Sequence, residues 1–349
     1  MDVQQIVSDV STVILVLGTM LNLIFIYTIR NGTRSTVSNV YKNIMTCFAV
    51  FNIIFAAAEF IIRPGIHIYG NSLMAFSHRA FQQVKPWGHI LLSIFIGMYG
   101  TNTALLTLHF VYRYVAVCRP KLSRIFQENV YVVVIATSVL SWGSVYGFIT
   151  FYCFAPTENY YKYAEASVYA GLGKNIHDIS FFCIFTHEKV EDATTIYWTS
   201  AIGIFLIMVL MMITFTFMLV CGIAMYRTLK KSTLSPKSKA LQTQLLKALT
   251  VQALIPFFTS YLSRTVMYCS TIMGFPPLKL YSFTPLIVTM YTVLDPIAIM
   301  FFICDFRKTV NSLRMNAHFL LHAGLGLLGK VGPTIRQVKF EHRKRGSIR

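Results

Sequence analysis

The chain has 349 residues and a formal net charge of +18, yet only 13% of its side chains are charged while 55% are hydrophobic. A soluble domain carries roughly 25% charged residues, so a water-facing globular protein is excluded, and a mean hydropathy of +0.58 assigns the chain to the membrane. The length accommodates seven helical crossings of roughly 20–25 residues with connecting loops.

Met1 to Asp9 is short and polar, and the apolar run that follows continues to Ile29. That run exceeds the core of a cleaved signal peptide, so the first span is expected to act as its own signal anchor. Seven apolar segments are predicted, at about 10–29, 43–62, 88–112, 130–152, 198–226, 248–273 and 281–304. Inside lipid the backbone must satisfy its own hydrogen bonds, so segments of this length are helices. The ten-residue alternating strands of a membrane barrel are not seen. The expected fold is an all-α, seven-transmembrane-helix bundle over 1–304, followed by a basic tail at 305–349.

Basic residues orient the bundle. The loops at 30–42, 113–129 and 227–247 together with the tail hold 23 of the 31 lysines and arginines. Cytoplasmic loops retain basic residues, so the N-terminus is expected outside and the C-terminus in the cytoplasm. Six acids between Glu158 and Asp192 lie in the long loop 153–197, which this topology puts outside. The excess positive charge then faces anionic lipid of the inner leaflet; it does not indicate nucleic-acid binding. The seven cysteines are scattered without a CxxC pair or metal-ligand spacing, so no metal or cofactor is expected. Cys153 and Cys183 both fall on the oxidising side, where a disulfide can form. The sequon Asn31-Gly32-Thr33 falls inside and is expected to be silent.

Three stretches carry candidate switch chemistry. The third span ends His109-Phe110-Val111-Tyr112-Arg113-Tyr114. This resembles the acid-Arg-Tyr box of rhodopsin-like receptors, with Tyr112 where the acid would stand, and the lock that acid forms with arginine is thereby in doubt. An arginine snorkelling to the headgroups is the plainer alternative. The seventh span carries Asp295-Pro296, which resembles the Asn/Asp-Pro-x-x-Tyr motif with Ile299 in place of the tyrosine. Pro296 removes a helix hydrogen bond, and an acid within a span is costly unless paired, hydrated or neutral; the pair reads as a hinge or as a structural kink. Pro256 in the sixth span admits the same two readings. Leading into that span, Leu241, Leu245, Ala248 and Leu249 recur at helical spacing with Lys239 and Lys247 on other faces. Such a helix suits either a partner groove or an anionic lipid surface. Phe306, Val310 and Leu313 suggest a short amphipathic helix after the seventh span, with Cys304 a candidate for palmitoylation.

Taken together, the stretches from Val37 to Pro64, His109 to Pro120, Lys239 to Pro256 and Leu294 to Arg307 resemble the str family of nematode seven-transmembrane chemoreceptors, which includes a receptor for the volatile odorant diacetyl. The resemblance covers most of the chain in order, most closely at Arg63-Pro64, Tyr112-Arg113-Tyr114, Ala240-Leu241-Gln242, Ile255-Pro256 and Asp295-Pro296. It implies an odorant receptor that couples to a heterotrimeric G protein from the plasma membrane of a sensory neuron's cilium.

A ligand entering from outside is expected to meet Ser93, Tyr99, Asn102, Tyr261, Arg264, Tyr268 and Tyr281, the polar and aromatic side chains of the outer half-spans. Few charges accompany them, so a small, largely apolar ligand is expected, with one or two hydrogen bonds. Arg264 leaves room for a carbonyl or carboxylate. The alternative of a transporter or ligand-gated channel lacks a visible repeat or paired intramembrane charges. Nothing suggests an enzyme: there is no nucleophile–base pairing or phosphate loop.

Overall fold

The structure is a computed structural model, and it describes residues 3–31, 38–78, 85–190, 193–273, 275, 281, 283–303, 306–309 and 312. Among them are seven helical segments long and apolar enough to cross a membrane. The first four are α1 (Val3–Asn31), α2 (Asn39–Ile62), α3 (Trp87–Cys118) and α4 (Asn129–Cys153). After the short α5 (Glu158–Leu172), α6 (Trp198–Lys231) forms the fifth span. The sixth is built from α7 (Pro236–Pro256), a π-helical turn at Phe257–Leu262 and α8 (Ser263–Met273). The seventh joins α9 (Thr284–Thr289) to α10 (Tyr291–Phe302).

Several spans run beyond their hydropathic limits, because polar residues continue a helix once it has left the lipid. The sixth span is the extreme case: it begins twelve residues before the predicted start at 248. Ser235 caps it by accepting from the Ser238 amide at 3.4 Å, and Pro236 occupies the first turn, where its missing N–H costs nothing. The stripe of Leu245, Ala248 and Leu249 is buried against the bundle itself. In this arrangement its apolar face packs on the receptor's own core, with Leu241 half-buried beside it.

Helices α3 and α4 pack closely, because small residues let the backbones approach. A Cβ built on Gly143 would stand 2.8 Å from the Gly97 carbonyl oxygen, and one built on Gly97 would stand 3.0 Å from that of Gly143. Gly143→Val is expected to force the two helices apart and lower both surface expression and the melting temperature of purified protein. Wild-type values for both would refute this packing. Much of the rest of α4, including Val130, Val133 and Tyr152, is exposed and apolar, as suits a helix whose solvent is lipid.

The expectation of an all-α chain is corrected by a β-structured cap. Between α2 and α3, the antiparallel strands β1 (Pro64–Tyr69) and β2 (Ser72–Ser77) form a hairpin, and β3 (Phe181–Phe185) from the long loop pairs with β2. A second hairpin joins β4 (His187–Val190) to β5 (Ala193–Ile196). Pro64 takes the first position of its strand, where the ladder can spare its N–H. Alternate residues of the sheet face opposite ways. Leu73, Ala75, Phe182 and Ile184 face the helix bundle, whereas Met74, Phe76, Phe181, Cys183 and Phe185 pack with Tyr160, Ala164 and Val168 of α5. Thr157 starts α5 by accepting from the Tyr160 amide at 3.3 Å, and Gly173 ends it with φ +64°. We call this the capped end of the bundle and the end bearing Arg113 the open end.

The cap also corrects the disulfide expectation. Cys153 and Cys183 are both free, although the Cys183 amide donates to the Phe154 carbonyl at 2.9 Å. The strand's pleat is the reason. Cys183 projects to the α5 side, whereas Cys153 packs against the bundle-side core. Burial pushes the Cys183 thiol up to about 12, leaving little thiolate for exchange. Cys304, the palmitoylation candidate, and nearly all of the tail lie outside the described residues; Phe306 is fully buried, its ring 6.0 Å from that of Phe25.

Candidate functional site

At the open end, Arg113 is 6% exposed. A buried guanidinium needs acceptors, and with Tyr112 in the place of an acid the structure supplies others. Its Nη2 donates to the Gln242 side-chain oxygen on α7, and its guanidinium carbon lies 5.2 Å from the Tyr41 ring on α2. Tyr41 in turn stacks on Tyr112 with centroids 5.6 Å apart and planes within 7°. The Tyr112 hydroxyl donates to Ser38 Oγ at 3.0 Å. The third span is thus tied to the sixth by an arginine–amide contact and to the second by a ring stack. Tyr114 packs part-buried against the core containing Phe110 and Leu249. Lys247 is exposed, and Lys239 donates from Nζ to the Lys230 carbonyl at 3.4 Å. Neither lysine touches Arg113 among the described contacts. His109 is fully buried between the rings of Tyr41 and Phe48.

Midway through the bundle, Asp295 is 3% exposed and its Oδ1 accepts from Gln252 Nε2 at 2.8 Å. The contact joins the seventh span to the sixth one turn before Pro256. On the other side, Asn22 donates from Nδ2 to the carbonyls of Thr292 at 2.8 Å and Gly18 at 2.7 Å, and receives Asn52 Nδ2 at 3.4 Å. Polar side chains of spans one, two, six and seven therefore surround the Asp295-Pro296 kink. Ile299 is buried in the same hydrophobic cluster as Tyr112. The other intramembrane acid, Glu59, accepts from Ser11 Oγ at 2.7 Å.

Beneath the cap lies a cavity of about 70 Å³, walled by Leu92, Phe95, Ile96 and Tyr99 of α3, Arg264, Met267 and Tyr268 of α8, Thr284, Pro285 and Val288 of α9, and the inward side chains of the sheet. The wide turn after Pro256 positions its one charged group. Ser260, Tyr261 and Arg264 are all buried, and Arg264 donates from Nε to the Ser260 carbonyl at 3.3 Å and from Nη2 to Ser260 Oγ. Its guanidinium carbon sits 4.6 Å from the Tyr99 ring.

Of the seven ligand candidates, the cavity takes three: Tyr99, Arg264 and Tyr268. Ser93 lines a separate groove between α3 and α4, with its hydroxyl donated to the His89 carbonyl at 2.9 Å. Tyr261 exchanges a hydrogen bond with Thr214 at 3.0 Å, and Tyr281 is buried in the surrounding core. Asn102 is buried, with its Oδ1 lacking a hydrogen bond among the described residues. Sequence reasoning missed the walls supplied by β2 and β3. Their only signal was two short apolar runs.

Seven crossing helices, a buried arginine closing the third, a proline-kinked seventh with a buried acid and a capped cavity define a serpentine membrane receptor. Residues 7–311 match the family described as serpentine type 7TM GPCR chemoreceptor Str, and the chain belongs to that family. It is 29% identical over 287 residues to serpentine receptor class r-10 of Caenorhabditis elegans, covering 80% of this chain and 82% of the relative. The Caenorhabditis briggsae protein of the same name is 28% identical over 299 residues, with 83% and 84% covered. G-protein coupled receptor str-33 of C. elegans is 22% identical over 308 residues, with 85% and 87% covered.

Proposed function

We propose that this chemoreceptor binds a small, largely apolar odorant in the cavity beneath the cap and activates a heterotrimeric G protein at its open end. The observation that carries the reading is the continuity of the sixth span. One helix lines the cavity through Arg264 and Tyr268, meets the Asp295 kink through Gln252, and holds Arg113 through Gln242. A ligand shifts a conformational equilibrium only through differential affinity for its states. A ligand wedged between α3, α8 and α9 bears on the segment whose far end closes over Arg113. Among the described residues, most of the lysines and arginines lie on segments at the open end, which supports a cytoplasmic C-terminus and an outside N-terminus. Residence in the plasma membrane of a sensory cilium draws its support from family kinship.

The test is Arg113→Ala in cells that express the receptor with a G-protein reporter. Surface expression is expected to be retained while ligand-evoked signalling falls to background. Normal activation by this variant would sink the assignment.

A further inference from the structure

The proposed ligand site contains a cation, Arg264, that no carboxylate among the described residues neutralises. Arg264 is 9% exposed, and its described partners are neutral: two atoms of Ser260 and the ring face of Tyr99. Among the described residues no carboxylate pairs with it. The intramembrane acids are engaged elsewhere, Glu59 with Ser11 and Asp295 with Gln252. A charge withdrawn from water is expensive unless it is paired and fully hydrogen-bonded. A guanidinium has five N–H donors, and the bonds to Ser260 employ one at Nε and one at Nη2. The remaining donors lie on a residue that lines the cavity, whose other walls are almost wholly apolar: Leu92, Phe95, Phe182, Ile184, Met267 and Val288.

We propose that the cavity takes a short-chain monocarboxylate, its carboxylate on Arg264 and its alkyl end against the apolar wall. The inference rests on the receptor reading above and names the ligand class for that same cavity. Two physical features select the class. Carboxylate oxygens match the planar donor edge of arginine and form the stronger, charge-assisted hydrogen bonds. Size then limits the chain: about 70 Å³ admits roughly half a dozen water-sized groups, which corresponds to an acid of about three to five carbons. A neutral alcohol or ester of the same length fills the space but leaves the cation uncompensated. Tyr268 and Thr284 also line the cavity and can meet a further oxygen beside the carboxylate.

The experiment measures binding of butyrate and isovalerate to the full-length receptor in lipid nanodiscs, alongside the matched amides, alcohols and methyl esters. Three variants are compared with wild type: Arg264→Gln, Arg264→Lys and Val288→Trp, the last filling the cavity without touching the cation. Butyrate or isovalerate is expected to bind wild type at least tenfold more tightly than its neutral counterparts. Arg264→Gln is expected to abolish that preference, Arg264→Lys to retain part of it, and Val288→Trp to block all ligands. Failure of both acids to bind, or equal affinity in wild type and Arg264→Gln, would overturn the proposal. Signalling in cells separates this failure from that of the receptor reading. A neutral activator blocked by Val288→Trp but indifferent to Arg264→Gln leaves the receptor reading standing and overturns the carboxylate. Acids that bind through Arg264 yet evoke no response support the ligand class and overturn the receptor reading instead.

Discussion

Replacing Gln242 with leucine is expected to raise signalling in the absence of ligand by about tenfold. The side-chain oxygen of Gln242 is the acceptor that holds Arg113 against the sixth span. Leucine removes it and leaves a buried guanidinium short of a partner in this arrangement. Stranding such a group costs about 1–3 kcal/mol, and each 1.4 kcal/mol is a factor of ten in an equilibrium. The penalty falls on the arrangement in which the third and sixth spans are closed at the open end. Any arrangement with the sixth span displaced, in which Arg113 meets water or a partner protein, gains population accordingly. Gln242→Glu should act in the opposite direction: a carboxylate at the same position pairs with Arg113 and restores the charged lock that Tyr112 cannot make, lowering basal output below wild type. Reporter assays on surface-matched cells measure both. Equal basal output in the leucine and glutamate variants would remove Gln242 from the switch.

This contact also marks where the sequence stops being legible. The seven spans are written locally, in runs of apolar residues that hydropathy reads directly, and the chain ends of those runs fail only where amphipathic turns such as those after Pro236 continue past the lipid. The strands of the cap were invisible for a related reason. Leu73-Met74-Ala75-Phe76 and Phe181 to Phe185 are buried on both faces, which erases the period-two alternation that would have announced them. Arg264 was legible as a lone cation in an apolar span, and Ser260 stands one turn before it. Ser93 falls outside the cavity because adjacent helical positions differ by about 100°: Leu92, Phe95 and Tyr99 face the cavity and Ser93 faces the α4 groove. Gln242 and Arg113, separated by 129 residues, share no local pattern. Only the folded arrangement of α2, α3 and α7 shows that an amide and the Tyr41 ring stand in for the missing acid.

At the Asp295-Pro296 kink, Asp295→Leu is expected to cost far more than Asp295→Asn. Gln252 is 2% exposed and donates from Nε2 to Asp295 Oδ1. Leucine leaves that buried amide without its acceptor, a loss of about 1–3 kcal/mol that corresponds to a melting temperature lower by a few degrees. Asparagine presents an oxygen to the same donor. Its amide nitrogen takes the place of Oδ2, which has no hydrogen bond among the described residues, so a small cost remains. Ligand-evoked signalling should follow the same order, because the Gln252 contact joins the sixth span to the seventh beside Pro256 and Pro296. Equal loss in both variants would show that the charge itself is required. The double variant Gln252→Leu, Asp295→Leu separates stability from coupling. Removing both partners strands neither, so the melting temperature should recover toward wild type. Signalling should not recover with it, because the polar tether between the two kinked spans is gone; a double variant that regains both would reduce the pair to a packing element.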